Sequence, residues 1–193
     1  MENQYKCLEK QRFEYGEFSL IPIRSEDILK IRIWRNEQMK ILRQNEFITE
    51  EKQLQYYANQ IVPNFNAEQP KQLLFSYFKN NELIGYGGLV HFSWLDKRAE
   101  ISFLLDTKFV NDSTIHDLYF ENYLHLIQKV AFEELKLNRL HTEVYDTRQH
   151  HVDILEKCGF LLEGRLRNHI FIEEKMVDSL LHGKLINEYK LWI

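Results

Sequence analysis

The stretch from Asn138 to Leu166, NRLHTEVYDTRQHHVDILEKCGFLLEGRL, constrains the fold more than any other. Arg139 to Tyr145 is rich in β-formers and partly alternating, so it reads as a strand. Asp146 and Thr147 are placed to cap the next helix. Val152, Leu155 and Cys158 share one face of that helix, and Gly159 supplies a left-handed stop. A strand restarts at Phe160. Strand, helix and strand in such short succession set a helix against a sheet, which demands a mixed α and β domain.

Before it, Phe18 to Ile23 reads as a strand with Pro22 at an edge position, and Ser25 precedes a helix with Glu26 and Asp27 in its first turn. Ile28, Ile31 and Trp34 form that helix's inner stripe. A second helix begins near Thr49, with Glu50 and Glu51 in its first turn, and Pro63 to Pro70 is a loop. Leu73–Lys79, Leu83–Phe92 and Arg98–Leu105 come next as three strands, the second carrying Gly85, Gly87 and Gly88, which signal a bend or a close backbone approach. A long helix then presents Phe120, Tyr123, Leu124, Ile127, Ala131 and Leu135 on one side, with capping-box spacing between Thr114 and Asp117. A final hairpin joins Asn168–Ile172 to Met176–Ile186 through Glu173, Glu174 and Lys175. Residues 1–17 read as an arm or a short strand on a single domain spanning 1–193.

The ending LEKCGFLLEGRLR resembles the last conserved segment of the GNAT acyltransferases, especially the RimJ/RimL-like branch, whose helix ends in L-E-K-x-G-F-x-x-E-G. The LIGYGGL and AEISFLL strands resemble the core hairpins of that family. IRIWRN followed by FITEEKQLQYY resembles the opening of RimJ/RimL-like proteins and of bacterial acetyltransferases acting on nucleotide-linked amino sugars. The resemblance implies an α+β GNAT fold: a central, mostly antiparallel, twisted sheet of about seven strands with helices on both faces. It also implies acetyl-CoA as co-substrate, its pantetheine arm lying in a wedge between two splayed strands, and a primary amine as acceptor.

Two departures from the family pattern bear on the site. At the start of the long helix the family carries Q/R-x-x-G-x-G/A, whose glycines let backbone N–H groups wrap the CoA pyrophosphate. Here Ile115, Leu118 and Phe120 stand at those places, and no glycine occurs between Gly88 and Gly159. The expected CoA contacts are then the N–H groups of Thr114, Ile115, His116 and Asp117, the strand end at Leu104 and Leu105, and Arg148 and His151. Arg148 replaces the Asn that touches the pantetheine arm, and Leu155 stands where many members carry a tyrosine acid. Either another loop geometry holds the pyrophosphate, with Arg148 supplying charge, or CoA binding is weak or absent. Arg148 also fits a surface position beside an Asp146 helix cap.

Amine acetylation needs an ammonium deprotonated, the amine held in line with a thioester carbonyl, and donors aimed at the developing oxyanion. Glu100, on the strand beside the expected thioester, is the first candidate base, with pairing to Arg98 as the structural alternative. His141, on the organising strand, is a second catalytic candidate, since imidazole titrates near neutral pH. Arg32 and Arg35 lie one turn apart, with Lys40 and Arg43 beyond. Guanidinium forks suit carboxylate or diphosphate recognition, and a solvated helix face is the alternative. Arg35, Arg43, His91 and His169 are the candidate acceptor contacts. His150 and His151 point about a hundred degrees apart on a helix, and no third ligand is spaced to join them, so no metal is expected.

With a formal charge of −4 and no Lys/Arg run, nucleic acid is not an expected partner. Cys7 and Cys158 have no partner spacing and read as reduced thiols. No stretch approaches a membrane span and no apolar leader opens the chain, so a cytoplasmic enzyme on a small-molecule amine is expected, compatible with a homodimer. Three readings stay open: an N-acetyltransferase on an amino sugar, particularly a nucleotide-linked one; a protein N-terminal acetyltransferase; and a GNAT-shaped binding module without catalysis.

Overall fold

In the computed structural model, which describes residues 3–42 and 44–190, one sheet of eight strands organises the chain, in the order β1-β2-β3-β4-β5-β6-β8-β7. Its strands are β1 (Phe13–Tyr15), β2 (Phe18–Pro22), β3 (Leu73–Lys79), β4 (Glu82–Ser93), β5 (Arg98–Leu105), β6 (Arg139–Tyr145), β7 (Leu161–Ile172) and β8 (Lys175–Leu185). All neighbours are antiparallel except β5 and β6. The eighth strand comes from the N-terminal arm, where Phe13 pairs with Leu20. Pro22 pairs with Phe75 and lies beyond the last β1 partner, where no ladder bond to β1 is asked of it.

The helices are α1 (Ile28–Glu37), α2 (Glu50–Tyr56), α3 (Val62–Phe65), α4 (Ser113–Gln128), α5 (Gln149–Lys157) and α6 (Ile186–Lys190). Adjacent residues of β3 show how they are layered, because side chains alternate faces along a strand. Ser76 donates to Asp27 beside α1 (2.6 Å), whereas the Tyr77 hydroxyl donates to the Tyr119 carbonyl of α4 (2.8 Å). So α1 covers one face and α4 the other. α5 joins the α4 face, with the His151 ring stacked on Phe120 at 3.8 Å. No helix among the described residues is long and apolar enough to cross a membrane.

The α5 terminus forms as its sequence dictates. Gly159 has φ +80°, its N–H reaches the Glu156 carbonyl (2.9 Å), and the Phe160 N–H reaches Leu155 (3.0 Å), a Schellman closure. Three expected helix starts are corrected. Ser25 opens a 3₁₀ turn (Ser25–Asp27) without capping α1, because the Asp27 carboxylate is taken by Arg24 (2.7 and 2.8 Å) and Ser76. α4 is capped by Asp112, which accepts from the Ile115 N–H (3.1 Å), and not by the Thr114–Asp117 pair. Asp146 caps nothing; it pairs with Arg165. The loop expected from Pro63 is also shorter, since a π turn (Tyr57–Ile61) leads into α3, where Pro63 sits in the first turn and loses no helical bond.

Candidate functional site

β5 and β6 are paired for three residues only: Arg98 with Arg139, Ala99 with Leu140, and Glu100 with His141. Beyond Glu100 they part, β5 keeping β4 and β6 keeping β8. The gap holds a cavity of about 130 Å³, reached by Ile101, Phe103, Leu104 and Leu105 from β5, Thr142 and Glu143 from β6, and Arg148, His151 and Leu155 near α5. The Lys97 carbonyl accepts from Asn138 and Arg139 (2.7 and 3.1 Å), so by strand alternation the backbone groups of Ile101 and Phe103 also turn toward the gap. The carbonyls of Ser102 and Leu104 face β4 instead. There a Cβ on Gly87 or Gly85 would meet them at 2.2 and 2.6 Å, which is why β4 carries glycines. Gln38 closes one wall, its amide donating to the Leu105 carbonyl (2.8 Å).

Glu100 stands where the gap begins and meets two histidines. His91 Nδ1 lies 2.8 Å from its Oε2, and His141 Nε2 lies 4.0 Å from the same oxygen. The neighbouring strands supply all three. Strand alternation alone would turn His91 away from Glu100, since Val90 is the residue opposite Glu100 in the ladder. The register breaks between Val90 and Ser93, and His91 takes φ +50°, a left-handed bulge that swings its ring back. The expected alternative, Arg98, reaches Asp96 at 3.7 Å instead. Burial is the main cause that holds the His141 imidazole below its usual pKa, and His141 Nδ1 is buried without a partner.

At the other end of the gap Arg148, at the start of α5, is half-buried and has no carboxylate partner among the described residues; burial depresses its pKa. His151 Nδ1 is buried and unpartnered, and burial holds that ring well below the ordinary value. The expectation that no third ligand approaches His150 is corrected: α4 and α5 bring one donor atom each from His116, Asp117 and His150 within 4.8 Å of one another. Burial lowers the His116 pKa, and the Arg148 charge lowers it further. A guanidinium this close opposes a cation and favours an anion. Thr114 is exposed, and the Ile115 N–H, expected to meet phosphate, is occupied by Asp112.

A second cavity, of about 390 Å³, lies between α1, α2 and the sheet, lined by Tyr86 and Val90 of β4, Ser102 of β5, Leu74 of β3, and Arg35. Arg35 donates to the Tyr86 hydroxyl at 2.7 Å. Of the other expected cations, Arg32 pairs with Glu50 (2.9 Å) and Lys40 with Glu173 (2.7 Å); Arg43 lies outside the described residues. His169 does not reach this cavity. It sits on β7 with Nε2 3.7 Å from Glu143, on the side of the gap. Asp178, on β8 of the same hairpin, pairs with Arg165.

Tyr86 and Gln38 belong to these walls without being expected there. Tyr86 had a signal, a single large side chain among three glycines; Gln38, just past the end of α1, had none. Burial raises the Cys158 thiol to about 12 and the Cys7 thiol to about 11, so neither is a nucleophile.

The chain matches known proteins along most of its length. The sequence model of the acetyltransferase (GNAT) domain matches residues 20–181. Among solved structures, the spermidine N-acetyltransferase from Vibrio cholerae in complex with CoA and spermine superposes with a TM-score of 0.77 at 18% identity, covering 91% of this chain and 99% of that one. A dodecameric form of that organism's spermidine N-acetyltransferase gives 0.74 at 18% identity over 91% and 97%. Its spermidine/spermine N-acetyltransferase with manganese ions gives 0.73 at 19% over 92% and 97%. At such identities these likenesses speak for the fold.

Proposed function

The chain belongs to the GNAT acetyltransferase family and is an acyltransferase with acetyl-CoA as co-substrate; from that premise we propose that it acetylates a small primary amine held in the cavity beneath α1 and α2. One observation carries this reading: Glu100 stands where the β5–β6 gap begins, directly opposite Val90, which lines the amine cavity. Glu100 lines neither cavity itself, but Val90 of the amine cavity stands opposite it and Ile101 of the gap stands next to it, so its carboxylate is one residue away from both. Acetyl-CoA supplies the acetyl group as an activated thioester. Glu100 takes one proton from the incoming ammonium, with His91 and His141 fixing its orientation. The freed amine forms the N–C bond at the thioester carbonyl as the C–S bond breaks, and the second proton lost by the nitrogen ends on the departing CoA thiolate. The backbone N–H groups of Ile101 and Phe103, turned into the gap, are the donors we assign to pantetheine and to the oxyanion.

The residues fit CoA in a way particular to this chain. With no glycine turn at α4 and with Asp112 on its first N–H groups, we assign the diphosphate to Arg148, aided by His116 and His151. A half-buried guanidinium without a carboxylate and a ring nitrogen unpartnered among the described residues both call for a ligand. The amino-sugar reading rests on likeness to bacterial acetyltransferases acting on nucleotide-linked amino sugars and keeps one of its expected anchors, Arg35. The basic row that would have held a nucleotide diphosphate is not assembled, because Arg32 and Lys40 are already paired. A protein N-terminus or a polyamine such as spermine asks for a more acidic cleft. Here Glu46 is the one carboxylate in the lining, and it pairs with Lys52 at 2.6 Å.

Calorimetric titration with acetyl-CoA tests the reading. Micromolar binding, weakened about tenfold or more by Arg148→Gln, is the expected result. No heat, with a melting temperature unchanged at millimolar ligand, contradicts it.

A further inference from the structure

The amine cavity has an unbalanced charge. Its walls are apolar, from Ile31, Phe47, Ile48, Ile61, Leu74 and Val90. Of the three charged groups that line it among the described residues, Glu46 and Lys52 neutralise each other, which leaves Arg35. Its one hydrogen-bond partner among the described residues is the phenol of Tyr86, itself 6% exposed and neutral. A guanidinium presents five N–H donors, and a phenol satisfies one of them. An arginine half-buried in apolar surroundings with donors to spare is half of an ion pair.

We propose that the acceptor supplies the other half: it is a primary amine that also carries one carboxylate, an amino acid or ω-amino acid with an apolar body, and its carboxylate docks on Arg35. The inference rests on the acetyl-transfer reading and names its substrate class. The register of β4 and β5 supports it. Tyr86, Gly88 and Val90 lie opposite Leu104, Ser102 and Glu100, so Arg35 marks one end of a floor and Glu100 the other. The four residue steps from Tyr86 to Val90 span about 13 Å, and side chains reach in from both ends, so the amine and carboxylate of the acceptor are separated by less than that. A polyamine would instead set a second ammonium against Arg35, a like-charge contact in a poorly solvated cavity. A diphosphate would meet a single fork where it needs several.

The test uses matched pairs: ω-amino acids and apolar α-amino acids, each against the amine that lacks the carboxylate, with spermidine alongside. Specificity, kcat/KM, is read from CoA thiol release. The carboxylate member of a pair should be favoured by about tenfold or more, and Arg35→Gln should bring the two within about threefold. Tyr86→Phe, which frees the guanidinium from its tether and keeps the ring, should reduce the preference by a smaller factor, and covers the case in which Arg35→Gln fails to fold. Carboxylate-free amines or spermidine matching the carboxylate substrates would overturn the inference and leave acetyl transfer intact, as would a preference that Arg35→Gln does not change. If no amine turns over, the acetyl-transfer reading fails, and calorimetry of the same pairs with CoA present decides this inference alone. Carboxylate-dependent heat lost in Arg35→Gln sustains it; its absence overturns it.

Discussion

At the residue scale, single side chains are held in their places by backbone neighbours rather than by propensity. The ring of His91 reaches Glu100 only because a non-glycine residue accepts φ +50° at a bulge. Such a conformation costs roughly 1–2 kcal/mol, and strain of this kind collects at functional sites. Glycines of β4 show the reverse, a backbone that tolerates no side chain. A Cβ on Gly88 would stand 1.9 Å from the Leu73 carbonyl, whereas one on Gly164 meets nothing nearer than Leu181 Cδ1 at 4.0 Å. Gly88→Ala should therefore cost about 3 kcal/mol or more and Gly164→Ala less than about 1 kcal/mol, read from urea midpoints. Equal midpoints would contradict the close approach of β3 and β4. That these glycines matter was legible in the sequence, since three in one strand require a reason. The bulge was not: one extra residue in a ladder leaves no compositional mark at His91.

At the scale of elements, hydrophobic period and glycine stops were readable because they are local. The α5 stripe, its Gly159 closure and the three central strands all come from them. Caps were not readable, because a carboxylate goes to its best partner, and that partner can be distant in sequence. Asp27 is spent on Arg24 and Ser76, and Asp146 on Arg165. The meeting of His116 with His150 needed the α4–α5 contact, which no spacing reveals. Asp112 carries an element-scale prediction of its own. Its carboxylate caps α4 and also places a negative charge at the helix end facing the phosphates we assign to CoA. Asp112→Ala should lower stability by about 1 kcal/mol and yet tighten acetyl-CoA binding, seen by calorimetry beside a urea titration. Weaker binding would place the diphosphate away from α4.

At the scale of the molecule, buried imidazoles set the response to acid. His116, His125, His141, His151 and His182 are all held below the ordinary value, burial being the largest cause for each. The unfolded chain binds protons that these rings refuse in the fold, so the unfolded state gains as pH falls through about 6.5. The stability is fully present above that pH and is lost below it. The urea midpoint should fall between about pH 7.5 and about pH 5.5; a constant midpoint would mean that these rings stay solvated in the fold. The same architecture, one sheet parted between β5 and β6 with a cavity on its α1 face, is the basis on which we propose that a thioester and an amine meet at a single carboxylate. The most direct measurement is the acetylation rate of the wild-type protein and of Glu100→Gln at saturating acetyl-CoA. Expected is a fall of about a hundredfold or more with acetyl-CoA affinity unchanged, and equal rates would contradict the assignment of Glu100 as the base.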